Sequence, residues 1–320
     1  MTILEEMADI LDAGAKLFLP QTANGAERRA PISNADFDRD VIIKSLGTER
    51  PAMWINEMTY TYVLESSHEL TALAILLRAH HVAGAVEPIV RAVVERAGRV
   101  IWVLDGGSQE ERDFSSAGRD FLDVRRRTIR ACVELLVCLQ HTRRAAKDLE
   151  PKKLGKLLEE QLRTDRSLVG EWFTIDQPPE NQLDPNLGLD PEIAHWTIGG
   201  EKYPGYGQLA HLALNEKITR GRARGLYSAL SGWSHPNFLA SRIHNGPGDT
   251  YIHSIAHLKD LLEVALLSYA NELLRITEYF DANRDLIGAE LDGLFDRWYE
   301  VTAQVDRAPD APDDDSTDRS

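Results

Sequence analysis

No stretch of this chain alternates apolar and polar side chains for long enough to demand a β-sheet, while apolar residues recur at three- and four-residue spacing from one end to the other. Each such segment carries an apolar stripe that must be buried against another helix, which makes the fold class all-α, a multi-helix bundle of about nine or ten helices. At 320 residues the chain has room for two domains of ordinary size or for one continuous bundle with a sizeable core.

Punctuation sets the segments. Thr2 and Glu5 match a capping box, and Ile3, Leu4, Met7, Ile10 and Leu11 follow at helical spacing up to Pro20. A short helix is expected around Phe37 to Leu46, stopped by Gly47, and Pro51 suits the first residue of a long helix running towards His80. From about Gly84 to Leu104 comes a largely apolar helix, expected to be central, with Pro88 near its start and Gly106-Gly107 after its end. Long helices are expected over 117–148 and 151–173, then again near Gln208 to Leu230, Tyr251 to Phe280 and Leu286 to Val305. Between them Pro178, Pro179, Pro185, Pro191, Gly199, Gly200, Pro204 and Gly205 break the pattern. A connection of that length is either functional, for example a lid, or a boundary. The organisation read from this is an N-terminal helical part over 1–175, a Pro/Gly-rich connecting segment over 176–207, a C-terminal helical part over 208–305 and a tail over 306–320. The tail holds the run Asp313-Asp314-Asp315 and nothing apolar larger than alanine, so it is expected to be disordered.

A formal charge of -15 argues against wholesale attraction to nucleic acid or anionic lipid. No uninterrupted apolar run approaches the roughly 20 residues that span a bilayer, and the first residues carry Glu5, Glu6 and Asp9 rather than a basic leader, so the reading is cytoplasmic with no membrane partner. The two cysteines, Cys132 and Cys138, lack metal-site spacing and read as core thiols in a reducing compartment. Charge is segregated: residues 119–166 hold thirteen Lys or Arg against eight Asp or Glu, and 278–320 hold four against thirteen. Either these are solvated helix faces, or the basic middle docks an anionic ligand or the acidic C-terminal region. Phe121 is the sole aromatic of that basic segment, which weakens a nucleic-acid reading.

The stretch from Tyr227 to Asn237 carries Leu226, Leu230 and Trp233 on one helical stripe and Tyr227, Ser231, Ser234 and His235 on the next, then stops at Pro236. His235 falls at the helix end, where the dipole favours an imidazolium. Far upstream, Arg91, Glu95 and Arg99 are spaced i, i+4, i+8 on an otherwise apolar helix that ends in Trp102. They make a surface ion-pair ladder, a partly buried network that meets the Tyr227 to His235 stripe, or an anion site of the two arginines. Arg220, Arg222 and Arg224 form a basic turn just before that stripe, but no phosphate-loop pattern is present, so Arg222 and Arg224 are candidate binding residues only. His253 and His257 are an i, i+4 pair without the intervening glutamate of a zinc protease; no metal and no cofactor is expected. A Ser-His-Asp hydrolase has no elbow motif here.

The segments Ala85 to Asp105 and Tyr227 to His235 together resemble a group of actinobacterial all-helical proteins whose hallmark is an Arg/Glu helix ending in Trp and Leu-Asp, followed downstream by Tyr-x-x-Leu-Ser-x-x-x-His. Such proteins are distantly similar to the HEPN group of helical domains, many of which are ribonucleases or toxin and defence components. By position the resemblance marks Arg91, Glu95, Arg99, Trp102, Tyr227, Ser231 and His235. Catalytic HEPN domains carry an arginine four to six residues before the histidine, and here residues 229–231 are Ala-Leu-Ser. A nuclease would have to combine His235 with Arg91 or Arg99 from another helix. The expectation is therefore a non-catalytic binding or interaction module, in a toxin-antitoxin or defence setting if the resemblance holds, with an HEPN-like ribonuclease as the alternative. A protein partner or a second copy fits the first; RNA fits the second.

Overall fold

The structure, a computed structural model, describes residues 2–18, 33–80, 85–105, 116–148, 152–177, 193–214, 225–226, 230, 255–281 and 284–305. Among them are nine α-helices: α1 (Ile3–Lys16), α2 (Asn34–Leu46), α3 (Arg50–Arg78), α4 (Val86–Leu104), α5 (Ser116–Asp148), α6 (Lys152–Trp172), α7 (Tyr206–Ala213), α8 (Ile255–Phe280) and α9 (Arg284–Val305). The all-α bundle expected from periodicity is what the chain forms. No helix among the described residues is long and apolar enough to cross a membrane.

Most helix ends have a local cause. Thr2 and Glu5 close a reciprocal capping box: the Glu5 amide donates to Thr2 Oγ1 at 3.3 Å and the Thr2 amide to Glu5 Oε2 at 2.7 Å. The second helix begins at Asn34, three residues before Phe37, because Ser33 caps it by accepting from the Asp36 amide at 3.1 Å. It ends at Gly47, in the left-handed conformation. Pro51 and Pro88 each sit in the first turn of their helices, where a missing N–H has no intrahelical acceptor to lose.

One departure from the sequence reading is a small sheet at the start of and within the Pro/Gly-rich segment, where no strand was expected. β1 (Ile175–Asp176), β2 (Thr197–Ile198) and β3 (Glu201–Lys202) pair antiparallel in that order, with Ile175 opposite Ile198 and Thr197 opposite Lys202. Strands of two residues are too short for any alternation to show in a sequence. Gly199 and Gly200 join β2 to β3 with φ of 56° and 91°, the two positive values that a primed hairpin turn needs. A 3-10 turn (Ile193–His195) precedes β2, and α7 starts at Tyr206, two residues earlier than Gln208.

Helix α4 lies at the centre, packed by α3, α5, α7 and α8, while α1 packs on α3 and α9, and α5 on α6. Its apolar face, Val90, Val93, Val94, Ala97, Val100 and Val103, is fully buried. Leu230 is fully buried and Leu226 packs against the same core, so two of the three residues of that apolar stripe have the inward position expected of them. Helix α7 approaches α4 at Gly98: a Cβ there would lie 2.8 Å from Leu209 Cα and closer still to its carbonyl. Both obstacles are backbone, so relief requires the helices to part. Gly98→Ala is expected to lower stability by about 1–3 kcal/mol despite its better helix propensity. A urea midpoint equal to or above that of the parent would show that α7 yields freely.

Candidate functional site

Arg91, Glu95, Arg99 and Trp102 come together on one side of α4 and are met by residues far away in sequence. Arg91 Nε donates to Glu95 Oε1 at 2.7 Å, and Arg99 reaches Glu95 Oε2 at 3.8 Å and Glu134 Oε1 of α5 at 3.5 Å. The same Glu134 oxygen accepts from Tyr62 of α3 at 2.6 Å and from the Cys138 thiol at 3.1 Å. Tyr203, from the loop between β3 and α7, faces this carboxylate and stands edge-on to Trp102 with ring centroids 5.7 Å apart. Arg130 lies over the Trp102 ring at 5.6 Å from its centroid and donates to the Trp102 and Asp105 carbonyls at 2.7 Å each, closing the orphan end of α4. Arg130 and Arg126 are in turn held by Glu201 of β3 at 2.9 and 3.2 Å.

The chemistry of this seam is that of a closed ion network. Two arginines face two glutamates, and the side chain of Glu134 is 1% exposed. Burial, with the Glu134 charge next, pushes the Tyr62 hydroxyl far above its ordinary range and the Cys138 thiol up to about 12. Neither is a nucleophile at neutral pH. Burial, the largest single influence, opposes the charge on Arg99, but Glu134 and the other groups around it together outweigh burial and the guanidinium stays ionised. The Arg91 to Arg99 stripe forms a partly buried network with partners from α3 and α5; the expected meeting of that network with the Tyr227 to His235 stripe lies outside the described residues.

The other half of the expected site, Tyr227, Ser231, Ser234 and His235 together with Arg222 and Arg224, lies outside the described residues, as do His244 and His253. His257 is partly buried near the start of α8. In the basic segment, Arg127 is committed to the fold. It binds buried Asp38 of α2 with both Nε and Nη2, at 2.7 and 2.6 Å, while Tyr279 donates to the same carboxylate at 3.1 Å. Sequence reasoning missed Tyr62, Glu134 and Tyr203. For Glu134 a signal exists: it is the only charge in the run from Ala131 to Gln140. A lone carboxylate among core residues needs partners.

A second concave feature lies between the C-terminal half of α5 and helix α6, closed by β1 and the 3-10 turn. Its volume is about 490 Å³, within the range of small-molecule sites. Buried Gln140 holds one wall by accepting from the Ile193 amide at 2.8 Å. Leu162, Ile175, Ile193 and Trp196 make its apolar surface, and Arg143, Arg163 and Arg166 its charged one. Arg166 lies over the Trp196 ring at 4.5 Å from the centroid. Arg143, its side chain 7% exposed, meets Glu159 at 3.5 Å, and Glu159 is 66% exposed. All three arginines belong to the basic segment read from the sequence as a candidate anion dock.

Set against family models, curated proteins and solved structures, the chain has no significant match in any of the three.

Proposed function

We propose that this protein is a non-catalytic binding module whose ligand is an anion held in the cleft between α5 and α6. The observation that carries the reading is the make-up of that cleft: among the described residues, Arg143, Arg163 and Arg166 line a cavity of about 490 Å³ beside an apolar wall. Guanidinium groups favour anions with several oxygen acceptors, because their planar fork of N–H donors matches such oxygens two at a time. The polar seam on α4 complements this by doing structural work: its charges cancel, and its thiol and phenol stay protonated. The ribonuclease alternative asks Arg91 or Arg99 to face a phosphate, and both face carboxylates.

Inorganic phosphate titrated into the full chain at constant ionic strength is expected to bind saturably. Arg143→Gln should weaken it by about tenfold or more, the worth of one hydrogen bond to a charged group. Arg163→Gln, on the exposed side of α6, guards against misfolding of the buried variant and should weaken it by a smaller factor. A panel of structured and unstructured RNAs should not be cleaved above background. Cleavage abolished alike by His235→Ala and by Arg91→Ala or Arg99→Ala would overturn the reading, as would phosphate affinity indifferent to both cleft arginines.

A further inference from the structure

We propose that the first half of α6 is a self-association surface, on which a second copy of this chain docks its own α6 antiparallel. The proposal goes beyond the binding-module reading and does not depend on it. Helix α6 packs chiefly on α5 and buries Leu162, Asp165 and Val169. Helix α3 reaches its later turns, where Arg50 meets Asp165 at 3.2 Å and the rings of Trp54 and Trp172 lie 6.0 Å apart. Leu154 and Leu157, three residues apart and so on one face of the early turns, are left 46% and 63% exposed. Leu157 is the most exposed large apolar side chain among the described residues, and it stands on a regular helix.

The charges beside the leucines decide what covers them. Lys153 and Glu160 are seven residues apart and share one flank of the leucine pair. Both are exposed, and neither makes an ion pair among the described residues. Lys153 lies in the first turn of the helix, where the dipole disfavours a cation and no acidic residue accompanies it. When two copies of α6 pair antiparallel with Leu154 of each beside Leu157 of the other, that flank meets itself. Lys153 of each copy then faces Glu160 of the other, so one contact covers four leucines and forms two ion pairs. The pattern is self-complementary, as a twofold interface requires. An anionic membrane surface matches Lys153 but is repelled by Glu159 and Glu160 close by and by a formal charge of -15. Two leucines and one charged flank per copy make a small interface, so the dimer forms as concentration rises rather than being obligate.

Sedimentation equilibrium of the full chain, from about 1 μM to about 1 mM, should show the average mass rising from that of one chain towards that of two. Leu157→Lys changes a side chain that the fold leaves in water and should weaken association at least about tenfold. Lys153→Glu and Glu160→Lys should each weaken it by about 3- to 10-fold, since each reversal places like charges together twice across the twofold axis. Combined in one chain, the two reversals rebuild the pairs and should bring the affinity back to within about twofold of the parent. Damage to the fold does not produce such a recovery. The mass of one chain throughout, or association indifferent to Leu157→Lys, would overturn the surface. Failure of the doubly reversed chain to recover would overturn the antiparallel register. A chain that stays monomeric yet co-sediments with phosphatidylserine-containing vesicles, and loses that capacity in Leu157→Lys, would replace the second copy with a lipid surface.

Discussion

Replacing Glu134 with alanine is expected to destabilise the protein by about 3–5 kcal/mol, the range for removing one partner of a buried charge pair. The carboxylate is the hub of the α4 seam: Arg99, Tyr62 and Cys138 converge on its Oε1. Its loss leaves a guanidinium facing Glu95 alone, at 3.8 Å, and leaves the half-buried Tyr62 hydroxyl and Cys138 thiol with only each other, at 3.1 Å. Replacing both charges, Arg99→Met with Glu134→Leu, should recover most of the loss, because two matched hydrocarbons need no compensation. Urea unfolding of the four variants of that cycle gives the coupling directly. A cost below about 1 kcal/mol for Glu134→Ala would mean that water already serves these groups.

Stability should also fall as pH rises from about 5 to about 8, and Glu272 is the group responsible. This carboxyl of α8 is fully buried, and desolvation pushes its pKa from an ordinary 4.5 up to about 8. Ser66 and Arg96 pull the other way without cancelling the shift, because Arg96 is shared with Glu65 and Glu69. Between those two pH values the native state keeps a proton that the unfolded chain has released, so proton release favours unfolding. Below about 4.5 both states are protonated and the group is neutral in its effect; above about 8 the penalty is complete. Glu272→Gln should remove that slope and exceed the parent in stability at pH 9 by on the order of a few kcal/mol. Parallel stability profiles for parent and variant from pH 5 to pH 9 would refute the assignment.

How far the sequence speaks for this fold depends on the range of the interaction that decides each feature. Helix α4 with its charged stripe was readable because Arg91, Glu95 and Arg99 and the valines around them obey one local period. The capping box at Thr2 and the stop at Gly47 are equally local. Ser33 was overlooked because the helix was expected to start around Phe37, which leaves Asp36 outside the first turn that Ser33 caps. The partners that turn the α4 stripe into a network were not readable: Tyr62 and Glu134 are 72 residues apart, and only packing of α3 on α5 brings them together. The basic segment shows the same limit in reverse. Its excess charge is plain in composition, yet Arg127 is neutralised by Asp38, 89 residues away, and Arg143, Arg163 and Arg166 face one cavity. Composition reports charge without saying which charges are spent internally. A cleft is made by helix packing and has no sequence signature of its own.

Amide hydrogen exchange of the full chain, with and without saturating inorganic phosphate, tests most directly where the ligand binds. Bound anion should slow exchange in the segments that build the cleft, 140–148, 159–177 and 193–198, and leave α4 from Arg91 to Trp102 unchanged. Protection centred on α4, or spread without preference along the chain, would contradict a binding site between α5 and α6.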